Sequence, residues 1–384
     1  MTSSAQASAL SPVDEDLVAD ASMFADTFVS PDAEQWDRER TQPEAVLRSA
    51  IARFTPTAIP KDLGGKGGNF STLVRVYEEL ARRDLGFASA LAVHTNVAVA
   101  ISLTPRAAVR DRFLPRLLSG EAIGAFLLTE PGAGSDATAI TTEAKARPGG
   151  YRITGRKAWV TNGQNADVLA TFCQTSPGSG AKGIAGLVLE ASSSGVVATP
   201  MLDLIGSHAM GTTDILFEDV DVGLDALAFG PGEAFKAAMF GIDVARVGVA
   251  AMCNGALQGA LMVATSYASE RRAFGKPLLQ HQGLQWRLAE VATNLEASRG
   301  LTFQASRLLD SGQDPTVMAA HAKKYATRES FAGISECMRA LGANGLKREF
   351  GLARQLAAAR VTECMDGTGE ILNIVIGRSL GVQR

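Results

Sequence analysis

EAIGAFLLTEPGAGSD, residues 121–136, is where the chain changes its period. Within it, a short apolar run passes straight into Thr-Glu-Pro-Gly, the pattern of a strand closed by a turn. Toward the N-terminus the pattern is helical. IPKDLGGKGG (59–68) is a loop of breakers, and Asn69 is placed to cap the helix that follows. In that helix Leu73, Val76, Tyr77 and Leu80 recur at helical spacing. Further helices are expected over 88–103 and Arg106–Leu118, the latter ending at Gly120. Toward the C-terminus, YRITGRKAWVTNG, DVLATFCQT, GIAGLVLEA and TDILFEDVDV are β-rich runs separated by turn residues. From about 231 the helical period returns, over 232–271, 279–311, 315–341 and 348–365, then a short last helix. The fold class is therefore mainly α with a central β domain. An N-terminal helical domain (1–120) precedes a small antiparallel β-barrel (121–230) and a C-terminal four-helix bundle (231–384).

Composition narrows the function classes. A chain of 384 residues with 46% hydrophobic and 20% charged residues reads as an ordinary globular protein of several packed domains. Its net charge of -3 and pI near 5.9 give no basic field for nucleic acid and no polybasic membrane anchor. The start, MTSSAQASALSPVDEDL, lacks the pattern of a signal peptide, and no uninterrupted apolar run reaches the about 18 residues of a membrane span. Cys173, Cys253, Cys337 and Cys364 are scattered and read as buried free thiols of a cytoplasmic protein. Four histidines without an HExxH pattern give no metal site. GSGAKG (178–183) matches a dinucleotide-binding turn, but a strand-like run follows where a helix is required, so it reads as a hairpin loop.

Three stretches concentrate chemistry besides the terminal ECMDGTGEI (363–371). LLTEPGAGSD (127–136) gathers backbone N–H groups and the hydroxyls of Thr129 and Ser135, which suits a phosphate, a flavin edge or an anionic oxygen. GRKAWVTNG (155–163) places Trp159 in a strand beside Thr161. YASERRAFGKPLLQHQ (267–282) ends a helix on paired arginines, which by itself only complements the helix dipole. Arg246 falls in the stripe Phe235, Met239, Ile242, Arg246, Val249, Cys253, where a guanidinium is costly unless paired; Asp243 at i,i+3 is one candidate partner.

In this order and register, TEPGAGSD, WVTNG, YASERRAFGKPL and DGTGEI resemble the acyl-CoA dehydrogenase family of flavoproteins, from the 59–68 loop to the C-terminus. The resemblance implies FAD between the β domain and the bundle. Residues 126–135, including Phe126, Leu128, Thr129, Gly134 and Ser135, would border the flavin, with Trp159 against its rings and Thr161 near N5. Arg271, Phe274, His281 and Gln282 would reach the pyrophosphate and ADP half. Arg339, Gly342 and Ala343 occupy the family's Gln-x-x-Gly-Gly-x-Gly segment with Arg and Ala substituted, and Arg can still serve a phosphate. Ala357-Ala358 replace an Arg-Asp pair that often precedes the terminal motif. Thr368 and Glu370 would also contact the cofactor. Ser135, Asp243, Arg246 and Gly367 would contact the substrate, an acyl thioester on CoA or a carrier protein. An electron-transfer flavoprotein or similar acceptor and a homo-oligomer, tetramer or dimer, complete the expectation.

The implied reaction is α,β-dehydrogenation, with Asp366 as base and its own N–H helping to hold the thioester oxygen. The family's other base position is Ala245 here, beside Arg246, and cannot serve. Most members carry Glu where this chain has Asp366. The side chain is one methylene shorter, so its oxygens fall short by about 1 Å, a displacement that can cost on the order of 100-fold in rate. A short or polar acyl group is one way to meet that shortfall. A walled carboxylate rises in pKa while a close Arg lowers it, so the two effects compete. The alternative on this fold is a flavin monooxygenase; such members tend to lose the acid that Asp366 retains.

Overall fold

The computed structural model describes residues 12–381. The Ser/Ala-rich start of the chain lies outside them. The first helices are α1 (Glu15–Phe24), α2 (Ala33–Glu39), α3 (Glu44–Phe54), α4 (Phe70–Ala81), α5 (Leu85–Ser102) and α6 (Ala107–Ser119). Asn69 caps α4 as its sequence position predicts, its side chain accepting from the Thr72 N–H at 2.8 Å. Gly120 ends α6 in the left-handed region at φ 77°.

Eight strands follow: β1 (Gly124–Leu127), β2 (Glu143–Arg147), β3 (Gly150–Val160), β4 (Val168–Gln174), β5 (Ile184–Glu190), β6 (Val196–Ala198), β7 (Thr213–Gly223) and β8 (Leu227–Phe229). They form one sheet in the order β6-β7-β3-β2-β4-β5-β8, with β1 attached to β4. The sheet is antiparallel-rich, with two departures from the expected pattern. β1 pairs in parallel with β4, as β2 does at Glu143 and Gln174, and among the described strands the pairing ends at β6 and β8 without closing. Residues 178–183 connect β4 to its antiparallel neighbour β5, so this Gly-rich stretch is a hairpin loop.

The chain then returns to helices: α7 (Ala234–Glu270), the small hairpin β9 (Arg272–Ala273) and β10 (Lys276–Pro277), α8 (Gln282–Asp310), α9 (Thr316–Ala340), α10 (Leu352–Thr362) and α11 (Gly369–Ser379). α7 is the spine. It packs on α9 and α8 to one side and on α4 and α5 to the other. At Gly255 an added Cβ would stand 2.1 Å from the Glu78 carbonyl oxygen, so only glycine lets α4 approach this closely. One apolar core runs through these helices onto the sheet, and a second fills the β domain around Leu169, Ile153 and Phe217.

By length and hydropathy, α5 and α7 are apolar enough to cross a bilayer, yet 83% and 72% of their most apolar windows are buried inside the protein. They are core helices whose partners are other helices. One sequence expectation, that all four thiols are buried, changes: Cys173, Cys253 and Cys337 are buried, whereas Cys364 is exposed, because it lies in the turn that leads out of α10 toward Asp366.

Candidate active site

The strand β1 runs into Leu128 and Thr129, and the chain then doubles back: the N–H groups of Glu130 and Ala133 each donate to the other residue's carbonyl, at 3.0 and 3.1 Å. The Glu130 carboxylate points inward. It accepts from the N–H of Thr141 and Thr142 and from the Lys157 ammonium at 2.8 Å, and Lys157 also donates to the Leu128 carbonyl. Burial pushes Glu130 up, but the Lys157 charge and these hydrogen bonds outweigh it and hold the acid at about 2. Both side chains are buried, so the pair survives only because nearly every polar atom is satisfied. It fastens the TEPGAGS turn to β3, leaving Gly132, Gly134 and Ser135 exposed on its rim.

The register of β3 against β7 shifts between Lys157 and Val160, and Trp159 sits in that bulge with φ 59°. The bulge turns the indole out of the sheet, leaving Trp159 62% exposed, while Thr161 is buried. Next to it Asn162 is fully buried. Its amide donates to the carbonyls of Ala90 and Gly124, and its oxygen accepts from Gln42 at 2.7 Å. WVTNG thus also joins the β domain to the N-terminal helices.

A second cluster surrounds Asp366, which follows α10 with φ 50°, a left-handed conformation that costs a non-glycine residue about 1 kcal/mol or more. Gly367 continues at φ 98°. Arg246 reaches in from α7: its Nε donates to the Asp366 backbone carbonyl at 3.0 Å and its Nη1 to Asp243 at 2.9 Å. Asp243 also accepts from the Thr316 hydroxyl at 2.7 Å. From α9 the buried Lys323 donates to the carbonyls of Glu363 at 3.0 Å and Gly367 at 2.8 Å. Arg246 therefore holds the backbone of Asp366, not its carboxylate. Burial raises the Asp366 pKa, and the Lys323 and Arg246 charges oppose it without reversing it. Burial likewise raises Asp243 against Thr316 and Arg246.

The other candidates lie elsewhere. Phe126 is half-buried, its ring 5.2 Å from Phe172, and Leu128 is buried. Phe274 is 96% exposed at the tip of the β9–β10 hairpin, His281 bonds the Ala273 carbonyl behind it, and Arg271 and Gln282 are exposed to either side. Arg339 pairs with Glu336 at the end of α9, next to exposed Gly342 and Ala343. Thr368 is the N-cap position of α11, and Glu370 lies in its first turn. The structure therefore groups the sequence-predicted residues into a β-domain rim, the Asp366 corner, and an exposed hairpin and α9 end. Lys157, Glu130, Asn162 and Lys323 were missing from the sequence-based set. For Lys323 the signal was present: it stands four after Ala319 and three before Ala326, a cation on an apolar helical face.

A flavin fits this surface on its own terms. The rim offers an aromatic ring turned outward at Trp159, glycines 132 and 134 with no atom within 4 Å of a would-be Cβ, and an apolar wall at Leu128.

Models of the acyl-CoA dehydrogenase N-terminal, middle and C-terminal domains match residues 11–121, 125–220 and 232–381. The chain belongs to the acyl-CoA dehydrogenase family, a family of oxidoreductases. It is 34% identical over 363 residues to an acryloyl-CoA reductase (NADH) of Anaerotignum propionicum, covering 94% of this chain and 92% of that one. Butyryl-CoA dehydrogenase of Megasphaera elsdenii superposes with TM-score 0.94 at 30% identity, covering 97% and 99% of the two chains. A chain from the structure of an electron transferring flavoprotein of Acidaminococcus fermentans gives the same TM-score, identity and coverage.

Proposed function

We propose that this protein is an FAD-dependent acyl-CoA dehydrogenase in which Asp366 takes the α proton of a short acyl thioester. When bound, FAD supplies the acceptor for the β hydrogen. The chain's own residues do the rest. Asp243 at the corner is occupied by Arg246 and Thr316, whereas the Asp366 carboxylate makes no hydrogen bond among the described residues, and its raised pKa makes Asp366 a stronger base than a solvated carboxylate. Its N–H makes no hydrogen bond among the described residues, so it is free to donate to the thioester oxygen as negative charge grows there. Arg246 fixes the same residue from behind through its carbonyl. The outward-turned Trp159 indole and the TEPGAGS rim would border the flavin.

The observation that carries this reading is the Asp366 corner itself: an unpaired carboxylate with a free N–H, on a backbone held by two cations. Acyl size is the second element: Asp366 is one methylene shorter than Glu, and its short reach favours a short acyl group. A monooxygenase reading is not favoured, because the acid before Gly-Thr is kept. The exposed Phe274, Trp286 and Leu346 support assembly into a homo-oligomer, and an electron-transfer flavoprotein or similar carrier is the proposed acceptor in the cytoplasm.

The test is anaerobic bleaching of bound FAD by a panel of acyl-CoAs and acyl-carrier-protein thioesters. Butyryl-CoA should bleach the wild type faster than long-chain thioesters. Asp366→Asn should lower the rate by about 10²–10⁴-fold with FAD retained. Bleaching of the Asn variant at the wild-type rate removes Asp366 from the mechanism.

A further inference from the structure

We propose that Lys323 is a positioning residue for proton abstraction: by holding the carbonyls of Glu363 and Gly367 it sets where the Asp366 carboxylate and N–H stand. This rests on the reading of Asp366 as the base.

The geometry is unusual for a lysine. Lys323 is fully buried in α9, where an ammonium is expensive without partners, and among the described residues it forms no ion pair with a carboxylate. Its hydrogen bonds go instead to two backbone carbonyls that flank Asp366 in sequence, and Arg246 takes the carbonyl of Asp366 itself. With those carbonyls of Glu363–Gly367 turned inward to cations, the Asp366 N–H is left on the other side, unbonded and available. The two left-handed residues at 366 and 367 are the bend this arrangement requires.

The length of the side chain makes the clamp matter. A glutamate can adjust its reach through an extra torsion, whereas an aspartate oxygen lies where the backbone puts it. For a base one methylene short, the position of the backbone becomes the position of the base. The groups that face the Lys323 ammonium are Asp366, Cys253 and Arg246 on α7, and Cys364. Asp366 is the carboxylate among them, so removing the ammonium changes both the placement and the field at the base.

The experiment compares wild-type, Lys323→Met and Lys323→Arg holoenzymes in anaerobic flavin reduction by butyryl-CoA across pH, with rates expressed per bound FAD. Lys323→Met should lower the limiting rate roughly 10- to 100-fold with little change in the butyryl-CoA concentration giving half that rate. The acid limb of its pH profile should move to higher pH, because a cation beside the carboxyl is gone. Hydrogen exchange of the 363–369 amides should quicken in the Met variant while the rest of the bundle keeps its protection. Lys323→Arg, which keeps the charge, should leave the acid limb in place with a reduced rate, since the bulkier planar guanidinium cannot take the ammonium's place in this closed site without shifting the two carbonyls. A Met variant with wild-type rate per bound FAD and an unmoved limb overturns the proposal. A fall in rate that merely follows lost FAD does the same. If the Met variant binds no FAD, the Arg variant decides: a lowered rate upholds the clamp and a wild-type rate overturns it. Failure of the underlying reading looks different, since Asp366→Asn would then still bleach.

Discussion

The molecule contains two buried lysines next to an acid, and they do opposite things. Lys157 grips the carboxylate of Glu130 and holds that acid ionised, at about 2. Lys323 grips carbonyls on either side of Asp366 and leaves the carboxylate free, with its pKa raised by burial. In the first case the charge pair is the structure: it bolts a turn to a strand. In the second the cation fixes the backbone while the carboxylate stays available for a proton. Whether a buried cation silences an acid or presents it depends on whether it bonds the carboxylate or the backbone around it.

The largest effect that would break or sharpen this comparison is on stability. Glu130→Gln leaves the Lys157 ammonium buried without its counter-ion, which should cost about 3–5 kcal/mol. Chemical denaturation of the holoprotein measures it, with Asp366→Asn as the control expected to change stability little. Equal losses in the two variants would mean that both acids are structural. The wild type should also show the Glu130 contribution in acid. Its folded pKa is depressed from 4.5 to about 2, so that stability is fully present above 4.5 and is lost as pH falls through about 2.

These two sites also show what was legible in the sequence. The change of period at 121–136, the Asn69 cap and the helices of the last third could be read because local pattern decides them. Asp366 could be placed by the register of DGTGEI with the three upstream motifs of the family, and Arg246 also because it interrupts an apolar helical stripe. Lys157 was not read as a buried pair: β3 slips register against β7 twice, between Ile153 and Gly155 and between Lys157 and Val160, so alternation does not carry through to it, and its partner Glu130 lies across a turn, 27 residues away. Lys323 hid behind Lys324, since a Lys-Lys pair on a helix looks solvated when only one of them is. The Asn162–Gln42 bond spans 120 residues and leaves no local trace. The parallel pairing of β1 with β4 is likewise a property of topology, not of either strand.

A smaller effect tests the geometry of the Asp366 corner. Gly367 has φ 98°, and a Cβ there would lie 3.2 Å from Arg246 Nη2. Gly367→Ala therefore strains the bend and presses on the guanidinium that holds the Asp366 carbonyl. Flavin reduction should slow by roughly tenfold, since misplacement of a reacting group by a fraction of an ångström is enough. FAD content and the Glu130 acid transition should be unchanged, because the turn and the corner are held by different lysines. A Gly367→Ala variant with full activity would show that the corner tolerates movement, unlike the turn.

The smallest effect is the sign of a pH slope. Asp366 has a raised pKa, so the folded protein keeps this proton to higher pH than the unfolded chain does. Such a group favours the folded state at low pH, and that advantage is lost as pH rises through its folded pKa. Asp366→Asn, always neutral, escapes the loss. Relative to wild type it should gain stability as pH rises toward neutral, within about 1 kcal/mol. Glu130→Gln should do the reverse, falling further behind wild type as pH rises from about 2 to 4.5. Melting temperatures of the three proteins over an acid-to-neutral series separate these slopes. If the Asp366→Asn curve falls behind wild type with rising pH, as the Glu130→Gln curve should, Asp366 is held as an ion-paired carboxylate, and Lys323 plays the same part beside it that Lys157 plays beside Glu130.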